Sequence, residues 1–258
     1  MKNKIYNFKN KNIVISGAFG SLGKHLVSQY LKYGANLYLT DLNTVKIKKK
    51  FNKQKIYYFN CDFEKISNVE KLVLDIKKKF KKVDILVNNA AIVGESMKSG
   101  WSTNFLYQSI EGWNKSYKIN LLPVFFLIQK LIPILNSKES NIVNISSIYG
   151  TSVPNFQIYE KTNIFNPLAY SVSKAGIIYL TKWLAKLLGR KKIRVNTISP
   201  GGIFRNQNKR FLKNYIMQCP LGRMATEKDV VNSCLFLTSN EASYITGQNL
   251  IVDGGFTI

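Results

Sequence analysis

An α/β fold, with one doubly wound parallel sheet in three αβα layers, is predicted by three observations. Short β-branched runs alternate with amphipathic stretches from end to end, as in repeated βαβ units. A glycine turn, Gly17-Ala18-Phe19-Gly20-Ser21-Leu22-Gly23, joins the first apolar run to the first amphipathic one. Asp41, Asp62, Asn88, Ser147 and Pro200 all fall at the C-terminal ends of apolar runs, where open parallel sheets bind ligands. No linker, repeat or low-complexity tract interrupts the pattern. Residues 1–258 are therefore read as one domain, with loops at about 92–110, 148–166 and 200–220 available to a substrate.

The elements follow in order. Asn12 to Ser16 is a short buried strand, and the glycine turn leads from it into a helix, Lys24 to Tyr33, closed by Gly34. Asn36 to Thr40 is the second strand, ending at Asp41. Strand, glycine turn, helix, strand and acid form a dinucleotide-binding βαβ unit, in which glycines let a pyrophosphate approach the helix N-terminus. Asp41 lies where an acid accepts hydrogen bonds from a ribose 2′-hydroxyl and repels a 2′-phosphate, so NAD is favoured over NADP. Lys46 and Lys48 lie close enough in sequence to weaken that preference. Ile56 to Phe59 is the third strand, and Asp62 beyond it is either an adenine contact or a helix cap. Val69, Leu72, Val73, Ile76 and Phe80 give a one-faced surface helix over Ser67 to Phe80. Val83 to Val87 is the fourth strand, running into Asn88-Asn89-Ala90-Ala91, where Asn88 can tie neighbouring strands and the alanines admit a ligand.

Glu111 to Asn136 reads as a long helix with Pro123 inside it. That proline leaves the Ile119 carbonyl without its amide partner, so a kink beside Asn120 could present oxygens to a water. Asn141 to Ser147 is the fifth strand, with Ser146 and Ser147 both candidates to face a site. A loop, Ile148 to Phe165, ends at Asn166-Pro167, a good helix start in which Asn caps and Pro takes the first turn. That helix runs to about Leu188 and stops at Gly189; Lys192 to Ile198 is the sixth strand, closed by Ser199-Pro200-Gly201-Gly202. A polar segment to Cys219 could act as a lid, and a helix, Glu227 to Leu237, and a strand, Asn249 to Val252, end the pattern.

Tyr170 and Lys174, four apart on the sixth-strand-side helix, point the same way. A phenol titrates near pH 10, and a fixed cation favours its ionised form. Tyr170 is therefore the candidate general acid/base and Lys174 its tuner.

Composition narrows the function classes. The net charge of +24 admits nucleic acid, an anionic membrane or an acidic partner. The lysines, however, are spread through the chain, and no nucleic-acid motif accompanies them. No nucleic-acid partner is expected, and the field favours an anionic small molecule. A single histidine and three cysteines without metal or redox spacing exclude a histidine-based metal site or triad and a disulfide framework. The first dozen residues are basic and polar without an apolar core, so no secretory signal is expected in them. Leu121 to Ile128, the longest apolar run, is too short to span a bilayer. A soluble protein of a reducing, cytoplasmic compartment is expected, with no membrane partner.

Jointly, the glycine turn, Asn88-Asn89-Ala90-Ala91, Ser147, Tyr170 with Lys174, Pro200-Gly201 and Val252-Asp253-Gly254-Gly255 resemble the short-chain dehydrogenase/reductase family, whose fold is a Rossmann domain. The resemblance covers Ile13 to Phe256. It implies that Tyr170 passes the proton, Ser147 hydrogen-bonds the substrate oxygen, Lys174 binds the nicotinamide ribose and lowers the tyrosine pKa, and Asn120 holds a relay water. The cofactor positions it implies are Gly17, Phe19, Gly20, Ser21, Leu22, Gly23, Asp41, Asp62, Asn89 and Ala90. Tyr170, Lys174, Pro200, Gly201 and Ile203 complete that set. Departures are Ser21, where short members of the family carry glycine, Ser16 for threonine, and a stretch from Ser147 to Tyr170 about ten residues longer than usual. The spacing of Gly17, Gly20 and Gly23, the Asn88-Asn89-Ala90-Ala91 turn and the inserted Phe156-Gln157-Ile158-Tyr159-Glu160 loop are together similar to members associated with surface-polysaccharide and flagellin-sugar biosynthesis. A sugar-like substrate, phosphorylated or nucleotide-linked, is implied, with Tyr159, Glu160 and Lys161 as candidate contacts. A 3-oxoacyl-(acyl-carrier-protein) reductase and a non-catalytic NAD-sensing protein are the alternatives. The helices bearing Asn120 and Tyr170 carry apolar residues on more than one face, so a homodimer or homotetramer is expected.

Overall fold

The computed structural model describes residues 6–45, 51, 56–93, 100–135, 140–162 and 165–258. Lys46, Lys48 and the first part of the loop after Val93 lie outside the described residues. Seven strands form one parallel sheet in the order β3-β2-β1-β4-β5-β6-β7: β1 Asn12–Ser16, β2 Asn36–Asp41, β3 Ile56–Asn60, β4 Ile85–Asn88, β5 Asn141–Ile145, β6 Arg194–Pro200 and β7 Asn249–Val252. The order reverses between β1 and β4, which opens a crevice at their C-terminal ends.

Alternation along the strands explains the three layers. Ile13 and Ile15 face one helical layer with Leu37, Leu39, Val87 and Val143. Val14 faces the other with Tyr38, Leu86, Ile142 and Val195. On the first face pack α1, Ser21–Lys32, through Leu26, Val27 and Tyr30, and the helix Glu227–Thr238 through Val230, Val231 and Leu235. On the second pack α2, Ile66–Lys79, and two helices from the middle of the chain. In α2 the buried residues Val69, Leu72, Val73 and Ile76 recur at helical spacing, and the lysines between them stay in water.

The long helix expected over Glu111 to Asn136 is divided. It comprises α3, Ile110–Ser116, a π-helical turn, Tyr117–Leu121, and α4, Leu122–Leu131. Pro123 stands in the first turn of α4. It cannot donate to the Ile119 carbonyl, and the chain absorbs the mismatch as one wide turn rather than a sharp kink. By length and composition Ile110–Ile134 could cross a membrane; here its buried residues Val124, Leu127, Ile128 and Leu131 pack in the sheet core.

The start of the helix that bears Tyr170 also differs from expectation. Helix α5 spans Leu168–Leu188 with Pro167 as its N-cap residue and no side-chain cap. Asn166 instead accepts a hydrogen bond from Ser171 Oγ at 2.9 Å. The Leu168 amide is satisfied from a distant loop, donating to Gln108 Oε1 at 2.9 Å. The segment after β6 is not irregular either: it contains α6, Lys209–Met217, and is followed by α7, Glu227–Thr238. Tyr215 and Phe211 of α6 pack with Ile158, Tyr159 and Tyr149 in a third apolar cluster, which ties this segment to the enlarged loop before Tyr170.

Candidate active site

A cleft of about 580 Å³ runs along the C-terminal ends of the central strands. At its centre the crevice is closed by side chain and backbone together. Asn89 Nδ2 donates to the carbonyls of Ser16 and Gly17 at 3.1 and 2.9 Å. Ser16 Oγ in turn accepts from the amides of Asn89 and Ala90 at 3.0 and 3.1 Å. The third glycine of the turn is a packing requirement, since a Cβ on Gly23 would lie 2.1 Å from the Gly17 carbonyl oxygen. Helix α1 begins at Ser21, so its free amides face the cleft.

Gly17, Phe19, Gly20, Ser21, Leu22, Asp41, Asp62, Asn89, Ala90, Ser147, Tyr170, Lys174, Pro200, Gly201 and Ile203 all line this one cleft. Gly23 stands behind it in the first turn of α1. Asp41 is held rigidly: its carboxylate accepts from the amides of Phe19 at 2.7 Å and Leu42 at 2.8 Å. Of the two readings of Asp62, the structure gives a cleft residue that also orders the turn before α2, accepting from the Glu64 amide at 3.1 Å. The helix cap itself is Lys65. Asn88 lies behind the crevice and donates to Asn144 Oδ1 at 2.8 Å, tying β4 to β5.

Beyond β5 the two serines separate in role. Ser146 Oγ turns away to donate to the Lys174 carbonyl at 2.8 Å. Ser147 lines the cleft with Tyr170 and is the hydroxyl that acts on its phenol, lowering its pKa, while its Oγ accepts from the Tyr149 amide at 3.2 Å. The return toward α5 is close, since a Cβ on Gly150 would lie 2.7 Å from the Lys174 carbonyl carbon. Tyr170 is half-buried. Burial raises its pKa above the ordinary phenol value, while the Ser147 hydrogen bond and the Arg205 charge pull against the rise. Lys174 is 3% exposed and donates to the Ile145 carbonyl at 2.9 Å. Its ammonium stands 5.6 Å from the Tyr170 ring centroid, and burial lowers its pKa to about 8. The expected lowering of the tyrosine pKa by Lys174 is thus not met in this geometry: desolvation dominates, and the opposing groups are Ser147 and Arg205.

Asn120 is buried in the π-helical turn. Its Oδ1 accepts from the Ile92 amide at 2.9 Å, and Nδ2 donates to Ser173 Oγ at 3.1 Å and Ser116 Oγ at 3.3 Å. It links the β4 loop to the Tyr170 helix. Tyr159, Glu160 and Lys161 do not line the cleft. Tyr159 is buried and donates to the Tyr149 hydroxyl at 2.8 Å; Glu160 and Lys161 are exposed. Behind them Tyr215 stacks on Phe256 with ring centroids 4.3 Å apart and accepts from the Gly202 amide at 2.7 Å.

Sequence reasoning missed Arg205 and Gln207, which line the cleft, and Glu227, which accepts from Ser21 Oγ. The one available signal was Ser21 itself, a hydroxyl where related turns carry glycine. Its partner lies 206 residues away and cannot be read from spacing.

Comparison with known proteins agrees with this geometry. A family model described as enoyl-(acyl carrier protein) reductase, of the adh_short_C2 type, matches residues 17–257. The post-translational flagellin modification protein A of Campylobacter coli is 32% identical over 257 residues, covering 96% of this chain and 98% of the relative. A 3-oxoacyl-(acyl-carrier-protein) reductase FabG of Chlamydia muridarum is 32% identical over 257 residues, covering 95% of this chain and 97% of the relative. Among solved structures, a short chain dehydrogenase from Leptospira borgpetersenii with bound NAD+ superimposes with a TM-score of 0.87 at 36% identity, covering 98% of this chain and 94% of that one. The fold, the cleft and these full-length likenesses lead to one conclusion: the chain belongs to the short-chain dehydrogenase/reductase family of oxidoreductases.

Proposed function

We propose that this protein is an NAD-dependent oxidoreductase acting on a secondary alcohol or ketone of a sugar-like substrate, phosphorylated or nucleotide-linked. The observation that carries this reading is the convergence of Ser147, Tyr170 and Lys174 in one cleft with the glycine turn and Asp41. The residues fit a dinucleotide: free amides at α1 suit a pyrophosphate, and a carboxylate held at the end of β2 suits a ribose diol. Asp41 favours NAD, because a 2′-phosphate would meet its charge.

When bound, the nicotinamide cofactor supplies or accepts the hydride. The chain supplies the rest. Tyr170 gives its proton to, or takes it from, the substrate oxygen, and Ser147 hydrogen-bonds that oxygen while orienting the phenol. Lys174 holds the nicotinamide ribose, while the groups that favour the phenolate are Ser147 and Arg205. Asn120 is a positioning residue that fixes the Ile92 segment against α5. It serves a proton relay only through the second lone pair of its Oδ1, since its donors are engaged. Tyr159 braces the enlarged loop through Tyr149, and Glu160 and Lys161, exposed on that loop, are the residues left to meet a bulky substituent. The polar enlarged loop and the Campylobacter relative's name support a sugar-like substrate for flagellin or surface-polysaccharide modification.

A 3-oxoacyl-(acyl-carrier-protein) reductase is the second reading, favoured by the family description and the Chlamydia relative and opposed by Asp41. We place the protein in the cytoplasm and infer a dimer or tetramer formed through α4 and α5, where Tyr179 and Trp183 are 73% and 55% exposed. The deciding experiment is turnover of sugar and acyl substrates with NADH and NADPH, followed at the cofactor absorbance. In it Tyr170→Phe lowers kcat by about 10²–10⁴-fold at unchanged NADH affinity. Near wild-type turnover by that variant refutes the mechanism, and a clear NADPH preference refutes the reading of Asp41.

A further inference from the structure

We propose that Arg205 is a ligand of the cofactor's pyrophosphate, and that Glu227 holds it as a counter-charge which the pyrophosphate displaces. This inference rests on the dinucleotide reading above. Three observations carry it. First, Arg205 and Lys174 are the only cations among the described residues lining the cleft, and Lys174 is committed to the Ile145 carbonyl end of the cleft. A pyrophosphate carries two negative charges and needs a second source of positive charge beyond the α1 amides.

Second, Arg205 is aimed by its segment. Ile203 bridges Ala225, and the Phe204 amide donates to the Ala225 carbonyl at 2.9 Å. The Gln207 side chain then clamps the turn, accepting from the Arg205 amide and donating to the Ile203 carbonyl, both at 2.7 Å. The side chain consequently lines the cleft and pairs with Glu227, the first residue of α7.

Third, Glu227 stands against two residues that line the cleft, Ser21 and Arg205. Its carboxylate accepts from Ser21 Oγ at the start of α1 and pairs with Arg205 Nε at 3.8 Å. It is not needed to cap α7, because Asp229 completes the capping box with Thr226. Burial raises the Glu227 pKa, but the Ser21 hydrogen bond, its own backbone amide, His25 and Arg205 outweigh that and keep it below the ordinary value. A carboxylate here competes with an incoming phosphate for the arginine and for the Ser21 hydroxyl at the start of α1. Ser21, in place of glycine, supplies the hydroxyl that seats it.

The test is direct binding of NADH and ADP-ribose, by calorimetry, to wild type, Arg205→Gln and Glu227→Gln, at two salt concentrations. Arg205 is exposed enough for its replacement to leave the melting temperature unchanged, and a thermal scan checks this. Arg205→Gln is expected to weaken both ligands by about ten- to a hundredfold and to flatten the salt dependence. Glu227→Gln is expected to bind both more tightly than wild type. If Arg205→Gln binds NADH and ADP-ribose as wild type does and only the substrate KM rises, the arginine reads a substrate anion and the proposal is overturned. If Glu227→Gln weakens binding as much as Arg205→Gln, the carboxylate builds the site rather than guarding it, which also overturns it. Absence of any NADH binding by wild type refutes the dinucleotide reading instead.

Discussion

Lys174→Met is expected to make the protein more stable while removing its activity. The ammonium is buried and its pKa falls from 10.5 to about 8. At about 1.4 kcal/mol per pH unit, that gap is a burial cost of roughly 3 kcal/mol for the charged form. Methionine fills nearly the same volume without the charge. It also leaves the Ile145 carbonyl without its 2.9 Å donor, a loss of about 1 kcal/mol. The net gain at pH 7 is about 2 kcal/mol, or roughly 4–8 °C in Tm for a chain of this size. The sign with pH follows from the direction of the shift. Because the folded pKa is depressed, the cost is fully present below about pH 8 and disappears as pH rises through 10.5. Wild type should therefore gain stability relative to the variant across that window. Urea unfolding at pH 7 and at about pH 10 measures both quantities. A variant no more stable than wild type at pH 7, or a difference that does not shrink by pH 10, refutes the assignment of a costly buried charge.

Gly23→Ala is expected to unfold the nucleotide turn, because its Cβ would lie 2.1 Å from backbone oxygen. Destabilisation of about 1–3 kcal/mol should be seen in a thermal melt, together with loss of NADH binding. Asp41→Ser removes the charge facing a 2′-phosphate, and steady-state kinetics should record a rise in kcat/KM for NADPH relative to NADH. An unchanged ratio would mean that Asp41 does not read the ribose. Charged residues at Tyr179 and Trp183 on the exposed face of α5 should convert the oligomer to monomers in native sizing, whereas a wild type that already elutes as a monomer rejects the interface.

Much of the fold was legible because it rests on local periodicity. The apolar run within Asn12–Ser16 marks a strand buried on both faces, and the spacing of Val69, Leu72, Val73 and Ile76 specifies a one-faced helix. The glycine turn and the Tyr170–Lys174 spacing pointed to the cleft for the same reason: the residues that line it there are close neighbours in the chain. Boundaries were less legible. Helix α5 takes its first backbone partner from Gln108, so Asn166 is left to Ser171 and the expected cap does not form. The π-helical turn at Tyr117–Leu121 likewise reflects Pro123 acting within a helix held against the sheet.

The sequence by itself determined the parallel α/β architecture, the nucleotide turn and the Ser147, Tyr170 and Lys174 set. Each of these follows from hydrophobic period or from residues within a few turns of one another. Only the tertiary structure decided which serine meets the phenol, how burial sets the Tyr170 and Lys174 pKa values, and that Ser21, Glu227 and Arg205 meet at the mouth of the cleft. Desolvation depends on everything packed around a group, and a contact between α1 and α7 depends on where the sheet places both helices. Neither quantity is carried by spacing along the chain.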